Sequence, residues 1–73
     1  MLRLDRKHEF AVGDTLRHVD SASDQPDAEV VELTLRVRGE VAYPTYTLAE
    51  LHCGVQTGEK LEDVLCTKDL VKV

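Results

Sequence analysis

The side chains that could do chemistry are few, and their spacing is unsuited to it. A zinc site would draw on His52, Cys53 and Cys66, but zinc usually takes four nitrogen or sulfur ligands that are presented as closely spaced pairs. No C-x-x-C pair is present, and adjacent residues on a strand point to opposite faces. We therefore expect no metal site and no cofactor.

A nucleophile with an oriented base is the second chemical possibility. His18, Asp20 and Ser21 are close in sequence, but they border a loop with too little surrounding structure to hold a catalytic geometry. Phosphate-cradling glycines precede a Lys-Ser or Lys-Thr pair on a helix, and Gly54 and Gly58 do not. The sequence therefore predicts a protein that is not an enzyme.

The histidines and cysteines have structural interpretations. We expect His8 and His18 to be exposed, whereas His52 is as well suited to a partly buried, hydrogen-bonded position as to sensing pH. Two cysteines are too few for a disulfide framework, so buried thiols are expected. A hairpin after residue 51 would leave open a disulfide between them.

Length and charge favour a binding module. The chain has 73 residues, with 14 acidic and 9 basic side chains and a net charge of -5, which disfavours direct binding to nucleic acid. A chain of this length has little room for a core and a deep catalytic cleft. No apolar run approaches the roughly 20 residues that span a bilayer, and no signal peptide begins the chain, so a cytoplasmic protein is expected.

The charges are unevenly distributed along the chain. Residues 1–18 sum to +1 and residues 19–34 sum to -5. Patches of opposite sign would give a bipartite contact with a partner, and such binding should weaken as salt rises.

Strand periodicity dominates the sequence. We predict a strand over residues 15–19, a surface loop over residues 20–27 and a long strand over residues 28–38. In the long strand one alternating set is apolar and expected inside, and the other is polar and expected outside. The apolar set is Val31, Leu33, Leu35 and Val37, and the polar set is Glu32, Thr34, Arg36 and Arg38.

The second half of the chain is less regular. Gly39 and Glu40 predict a hairpin into a strand over residues 41–48, which Pro44 places at an edge or a bulge. Residues 47–51 fit either a continued strand, which we prefer, or a capped helical turn. We predict a loop over residues 53–60, a short strand or helical turn over 61–66, a tight turn over 67–70 and a last strand over 71–73.

These elements predict an N-terminal arm over residues 1–9 and a single domain over residues 10–73. The domain is expected to be mainly β, a small antiparallel SH3-like barrel or sheet with at most one short helix near residues 48–52 or 61–66. The predicted core consists of apolar residues from every strand, namely Val12, Leu16, Val31, Leu33, Leu35, Val37, Leu48, Leu51, Val64, Leu65 and Leu70.

The opening Val12-Gly13-Asp14, the long central hairpin and the ending over residues 69–73 together resemble the SH3-like small barrels of KOW and Tudor modules. This resemblance covers residues 10–73 and implies binding to a protein, a peptide or a nucleic acid. An aromatic cage for a methylated cation is not expected, because Tyr43 and Tyr46 should face opposite sides of a strand.

Residues 6–14 (RKHEFAVGD) are similar to small phage-encoded regulators of bacterial RNA polymerase. The similarity implies a monomeric, non-enzymatic inhibitor in the host cytoplasm that occludes polymerase or displaces its sigma factor. The alternatives are a nucleic-acid-binding KOW-like or Tudor-like module and a phage structural or assembly component. The expected protein-binding residues, from the arm, the polar face of the long strand and one tyrosine, are Arg3, Arg6, Lys7, Glu32, Arg36, Arg38 and Tyr46.

Overall fold

The computed structural model describes residues 1–22, 24–65 and 69–73, and it shows a single six-stranded sheet. The strands are β1 (Arg3–Leu4), β2 (Thr15–His18), β3 (Ala28–Arg38), β4 (Val41–His52), β5 (Val55–Leu65) and β6 (Leu70–Lys72). No helix forms in the described ranges, and so none there could cross a membrane. The predicted mainly β fold is confirmed as a small sheet that does not close into a barrel.

Strand β4 lies at the centre of this sheet. The order is β1-β4-β3-β2-β6, and β5 pairs with β4 on the same side as β1. The pairing of β1 with β4 is parallel, and all the other pairings are antiparallel. Because β3, β4 and β5 are long and the other strands are short, the molecule is elongated, with extents of 43 × 23 × 16 Å.

Two tight hairpins connect the three long strands. Gly39 and Glu40 form the predicted turn between β3 and β4, and Gly39 has the positive φ of 61° that a type II′ turn needs at its first central position. Strand β4 continues through residues 47–51, which confirms the strand interpretation of that segment over the helical one.

The loop predicted over residues 53–60 is wrong. Cys53 and Gly54 alone connect β4 to β5, and their φ angles of 53° and 79° are those of a type I′ turn. Cys53 is an exposed free thiol rather than a buried one. Residues 61–65 are strand, whereas Cys66 and the start of the predicted turn over 67–70 lie outside the described residues.

The core is concentrated at one end of the sheet. Leu16, Ala28, Val30, Tyr46 and Leu48 form its buried cluster, against which Phe10, Val64 and Leu70 pack. Leu16, Leu48 and Leu51 are buried as predicted, and Val31, Val64 and Leu70 are half-buried. The prediction is wrong for five residues that are exposed instead, namely Val12, Leu33, Leu35, Val37 and Leu65.

A β-bulge explains which side of β3 is buried. The register of β3 against β4 shifts between Val30 and Glu32, so Val31 is an extra residue. Because of this shift, Leu33 and Leu35 lie on the same face as Val30 and the core. They remain 40% and 53% exposed because β2 ends its pairing with β3 at Glu29, although His8 of the arm reaches the Thr34 carbonyl between them.

Pro44 lies inside the central strand and not at an outer edge of the sheet. The Ala42 carbonyl accepts a hydrogen bond from Asp5 N–H, so the backbone groups of Ala42 point away from β3. Every second residue of a strand directs its backbone groups to the same side, so those of Pro44 point away from β3 as well. Among the described residues, β1 pairs only with Val41 and Ala42, and β5 begins its pairing at Thr45. The missing N–H of Pro44 therefore falls at a gap in the ladder.

Asp14 fastens the end of the arm to the last strand. Its carboxylate accepts a hydrogen bond of 2.9 Å from Ala11 N–H and lies 3.4 Å from Lys72 Nζ. The hydrogen bond from Ala11 lowers the pKa of Asp14 below its ordinary value; desolvation partly opposes the shift and the Lys72 charge adds to it. The Val12-Gly13-Asp14 segment thus has a structural role.

We expect the substitution Cys53→Asn to stabilise the fold by about 0.5–1 kcal/mol, because asparagine tolerates the left-handed conformation of a type I′ turn better than cysteine does. Urea unfolding of the reduced protein measures the change. Cys53→Ser is the matched control, since it removes the same thiol without the same preference for that conformation. Equal stability of the two variants would contradict the turn geometry.

Candidate protein-binding surface

The N-terminal arm crosses the face of the sheet that carries the core, which we call the core face. β1 pairs with the start of β4, and the chain then runs over Tyr46 to Gly13 and Asp14, which hydrogen-bond to Val30. The Tyr46 hydroxyl accepts hydrogen bonds from Glu9 N–H at 2.7 Å and Phe10 N–H at 3.2 Å. The phenol group therefore holds the arm against the sheet.

Tyr46 is the clearest correction to the predicted site. Its side chain is only 1% exposed, so the ring packs within the protein and offers no surface to a partner. The Phe10 ring lies 5.6 Å from it, and the His8 ring stands on it edge-to-face at 5.2 Å. Its neighbour Tyr43 pairs with Arg36 on the opposite face, as the odd spacing predicted.

His8 is half-buried, where the sequence predicted exposure. Its Nε2 lies 2.8 Å from the carbonyl oxygen of Thr34 and 3.0 Å from that of Thr45, so an N–H there is shared between two strands. His18 is exposed as predicted, and His52 is exposed as well. The histidine with a structural role is thus the one in the arm.

The register of the strands brings two predicted arginines together. Arg3 pairs with Val41, and Val41 pairs with Arg38, so both arginines lie beside Val41 on the face opposite the core, the polar face. Both side chains are exposed. The arm and the long strand, which the sequence treated as separate patches, thus each contribute one arginine to the same end of the sheet.

Arg36 spans the polar face and contacts β5. Its Nε and Nη2 each lie 2.9 Å from the Asp63 carboxylate, and Nη2 also donates to the Asp63 carbonyl oxygen at 2.9 Å. Asp63 has a φ of 57° at an irregularity of β5, where the register shifts between Tyr46 and Leu48. Arg36 thus stiffens the sheet rather than standing free.

The other predicted residues are further apart. Arg6 contacts the carboxylates of Asp5 and Glu9, at 3.2 and 3.9 Å, and Lys7 is exposed on the arm. Glu32 is exposed at the inner end of the polar face, where it shares a shallow hollow with Lys60 and Glu62. The predicted set is therefore a line along the molecule and not a single cluster.

Sequence reasoning missed the apolar side of the hairpin tip. We call residues 32–45 the distal hairpin, because they lie on one side of the buried cluster of Leu16, Ala28, Val30, Tyr46 and Leu48. Leu35 and Val37 are 53% and 54% exposed on its core face, and Leu4 of β1 is exposed beside Ala42 on that face. The signal was present, since the apolar positions change from even (Ala28, Val30) to odd at Val31, which is typical of a bulge.

An open hollow of about 900 Å³ lies at the opposite end, between β5 and β6. Leucines of β4, β5 and β6 line it, and carboxylates stand around it, namely Asp20, Asp27, Glu50 and Asp69. His18, Asp20 and Ser21 also line it, in a turn closed by Ser21 N–H on the His18 carbonyl oxygen at 3.0 Å. The carboxylates of this hollow and the pair of Arg3 and Arg38 therefore lie at opposite ends of the molecule.

In the described parts of the chain, no group of three or more histidine, cysteine or acidic side chains could hold a metal ion. His52, which was weighed as a zinc ligand and not predicted as one, is exposed beside the turn, and so is Cys53. Cys66, the third, lies outside the described residues.

We expect Tyr46→Phe to destabilise the protein by about 1–2 kcal/mol, because two N–H groups of the arm lose their acceptor in a partly buried position. The arm should then detach more often, so trypsin should cleave after Arg6 and Lys7 faster than in the wild type. Tyr43→Phe is the matched control, and equal cleavage of the two variants would show that the phenol does not hold the arm.

Comparison of the chain with protein-family models, with curated proteins and with solved structures gives no match.

Proposed function

We propose that this protein is a non-catalytic regulator that binds another protein through its distal hairpin. The observation that carries the proposal is the exposure of Leu35 and Val37 on one side of a stiff hairpin whose other side carries arginines. Exposed apolar side chains and exposed arginines both occur often in protein interfaces.

The hairpin is stiff enough to present these side chains. The hydroxyl groups of Thr34 and Thr45 hydrogen-bond across the strands at 2.6 Å. On the core face, His8 Nε2 contacts the carbonyl oxygens of the same two residues. Arg36 ties the polar face to β5. A surface with few accessible conformations loses little entropy on binding.

Bacterial RNA polymerase is the partner to test first, on the similarity of residues 6–14 to phage-encoded regulators. Such a regulator acts in the host cytoplasm by occluding polymerase or displacing its sigma factor. The pair of Arg3 and Arg38 at one end and the acidic hollow at the other suit a partner that contacts the molecule along its 43 Å length.

The nucleic-acid alternative has less support. Arg3 and Arg38 form a basic pair on the polar face, but the neighbouring Arg36 is neutralised by Asp63. With a net charge of -5, too few cations remain to release the counterions that drive such binding.

The test is binding of fluorescently labelled protein to purified bacterial RNA polymerase, with and without sigma factor. Val37→Thr should weaken binding about tenfold, because it replaces an exposed methyl group at the interface with a hydroxyl. Val55→Thr is the matched control, since Val55 is 68% exposed on β5 and outside the distal hairpin.

Two results would count against the proposal. If neither form of polymerase binds the wild type, polymerase is not the partner. If Val37→Thr and Val55→Thr bind equally well, the distal hairpin is not the contact surface.

A further inference from the structure

The outer edge of β3, the side turned away from β4, is open along the distal hairpin. β2 pairs only with Ala28 and Glu29 of β3, and Gly13 and Asp14 extend the hydrogen bonding to Val30. Beyond Val30, no strand among the described residues pairs with this edge. An open edge of this length is a template for another strand.

The backbone groups that the open edge presents follow from the register. Ala42 directs its carbonyl to Asp5, so its pair with Val37 is one without mutual hydrogen bonds. The backbone groups of Val37 therefore point away from β4. Because these groups alternate in direction along a strand, the N–H and C=O groups of Leu33 and Leu35 also point outward. Those of the intervening residues hydrogen-bond to β4.

The two long edges of the sheet differ in their protection. β5 carries two register irregularities, with positive φ at Gly58 and Asp63, and it also bears Lys60. Bulges and lysines are the usual obstacles to strand addition. Residues 32–38 of β3 have no glycine, proline or register shift, so their edge is straight, and its charged residues are of both signs.

The sequence of this edge is complementary to itself in the antiparallel direction. When Leu35 faces Leu35 of a second copy, Leu33 faces Val37 and Glu32 faces Arg38. Leu33, Leu35 and Val37, whose backbone groups point outward, then occupy the hydrogen-bonded positions. Glu32 and Arg38 are both exposed, and in the described structure neither has an ion-pair partner.

We propose that two copies of this chain associate through the outer edges of β3, antiparallel and with the twofold axis at Leu35. The sheet continues from one copy to the next, and the apolar stripes of the two core faces merge into one. On the polar face, the two symmetric pairs of Glu32 with Arg38 select this register over its neighbours. This proposal replaces the monomer expected from the sequence and does not depend on the proposed binding of polymerase.

Sedimentation equilibrium over a range of protein concentrations tests the register. Glu32→Arg and Arg38→Glu should each raise the dimer dissociation constant about tenfold or more, because each places like charges opposite one another twice. The double variant E32R/R38E restores opposite charges and should recover most of the affinity. Glu50→Arg, an exposed acid on β4, is the matched control and should dimerise as the wild type does.

Leu35→Pro tests the edge itself. Proline removes only an outward N–H group, so the pairing of β3 with β4 keeps its hydrogen bonds while the dimer loses those of its central pair. The variant should be monomeric, with the circular dichroism of the wild-type sheet. If Leu35→Pro does not fold, the dimer is tested by the single and double charge variants at Glu32 and Arg38 alone.

Three results would overturn the proposal. These are a wild type that is monomeric across the whole concentration range, a dimer that persists in folded Leu35→Pro, and single charge variants that dimerise as well as the double variant. A monomeric chain that still binds polymerase would refute the dimer and leave the proposed function intact.

Discussion

The hydroxyl of Tyr46 accepts two N–H groups from the arm, and the ring beneath it packs among the residues of a very small core. A sheet of this size buries few large side chains, with Tyr46, Leu16 and Val30 the largest apolar ones that are fully enclosed. The arm supplies much of the missing cover, through His8 and Phe10. The arm crosses the core face from Ala42 to Val30, and Leu35 and Val37 of β3 still remain about half exposed.

The sequence predicted the elements of the fold better than their burial. The alternation of apolar and polar residues predicted β3, and Gly39 predicted the first hairpin. Both signals depend only on neighbouring residues in the sequence. The second hairpin was missed since Cys53 occupies a position where asparagine, aspartate or glycine is usual. The burial of Leu33, Leu35 and Val37 was wrong because alternation gives the face of a residue, not whether another element lies over that face.

The candidate site was predictable only in part. Arg3 and Arg38 were chosen for their type, and the parallel pairing of β1 with β4, which places them side by side, has no sequence signal. Tyr46 was chosen as a surface anchor because tyrosine is common at interfaces. Its burial depends on contacts with an arm more than 30 residues away in sequence, and that of His8 depends on contacts with β3 and β4, 26 and 37 residues away.

Among the described residues, no strand pairs with the outer edge of β3 beyond Val30, and we propose that a second copy pairs there. Amide hydrogen exchange measured by NMR at low and high protein concentration tests it most directly. In dilute solution the outward amides of Leu33, Leu35 and Val37 should exchange fast and those of Thr34, Arg36 and Arg38 slowly, and at high concentration both sets should be slow. Equal protection of the two sets in dilute solution, or outward amides that stay fast at high concentration, would contradict the account.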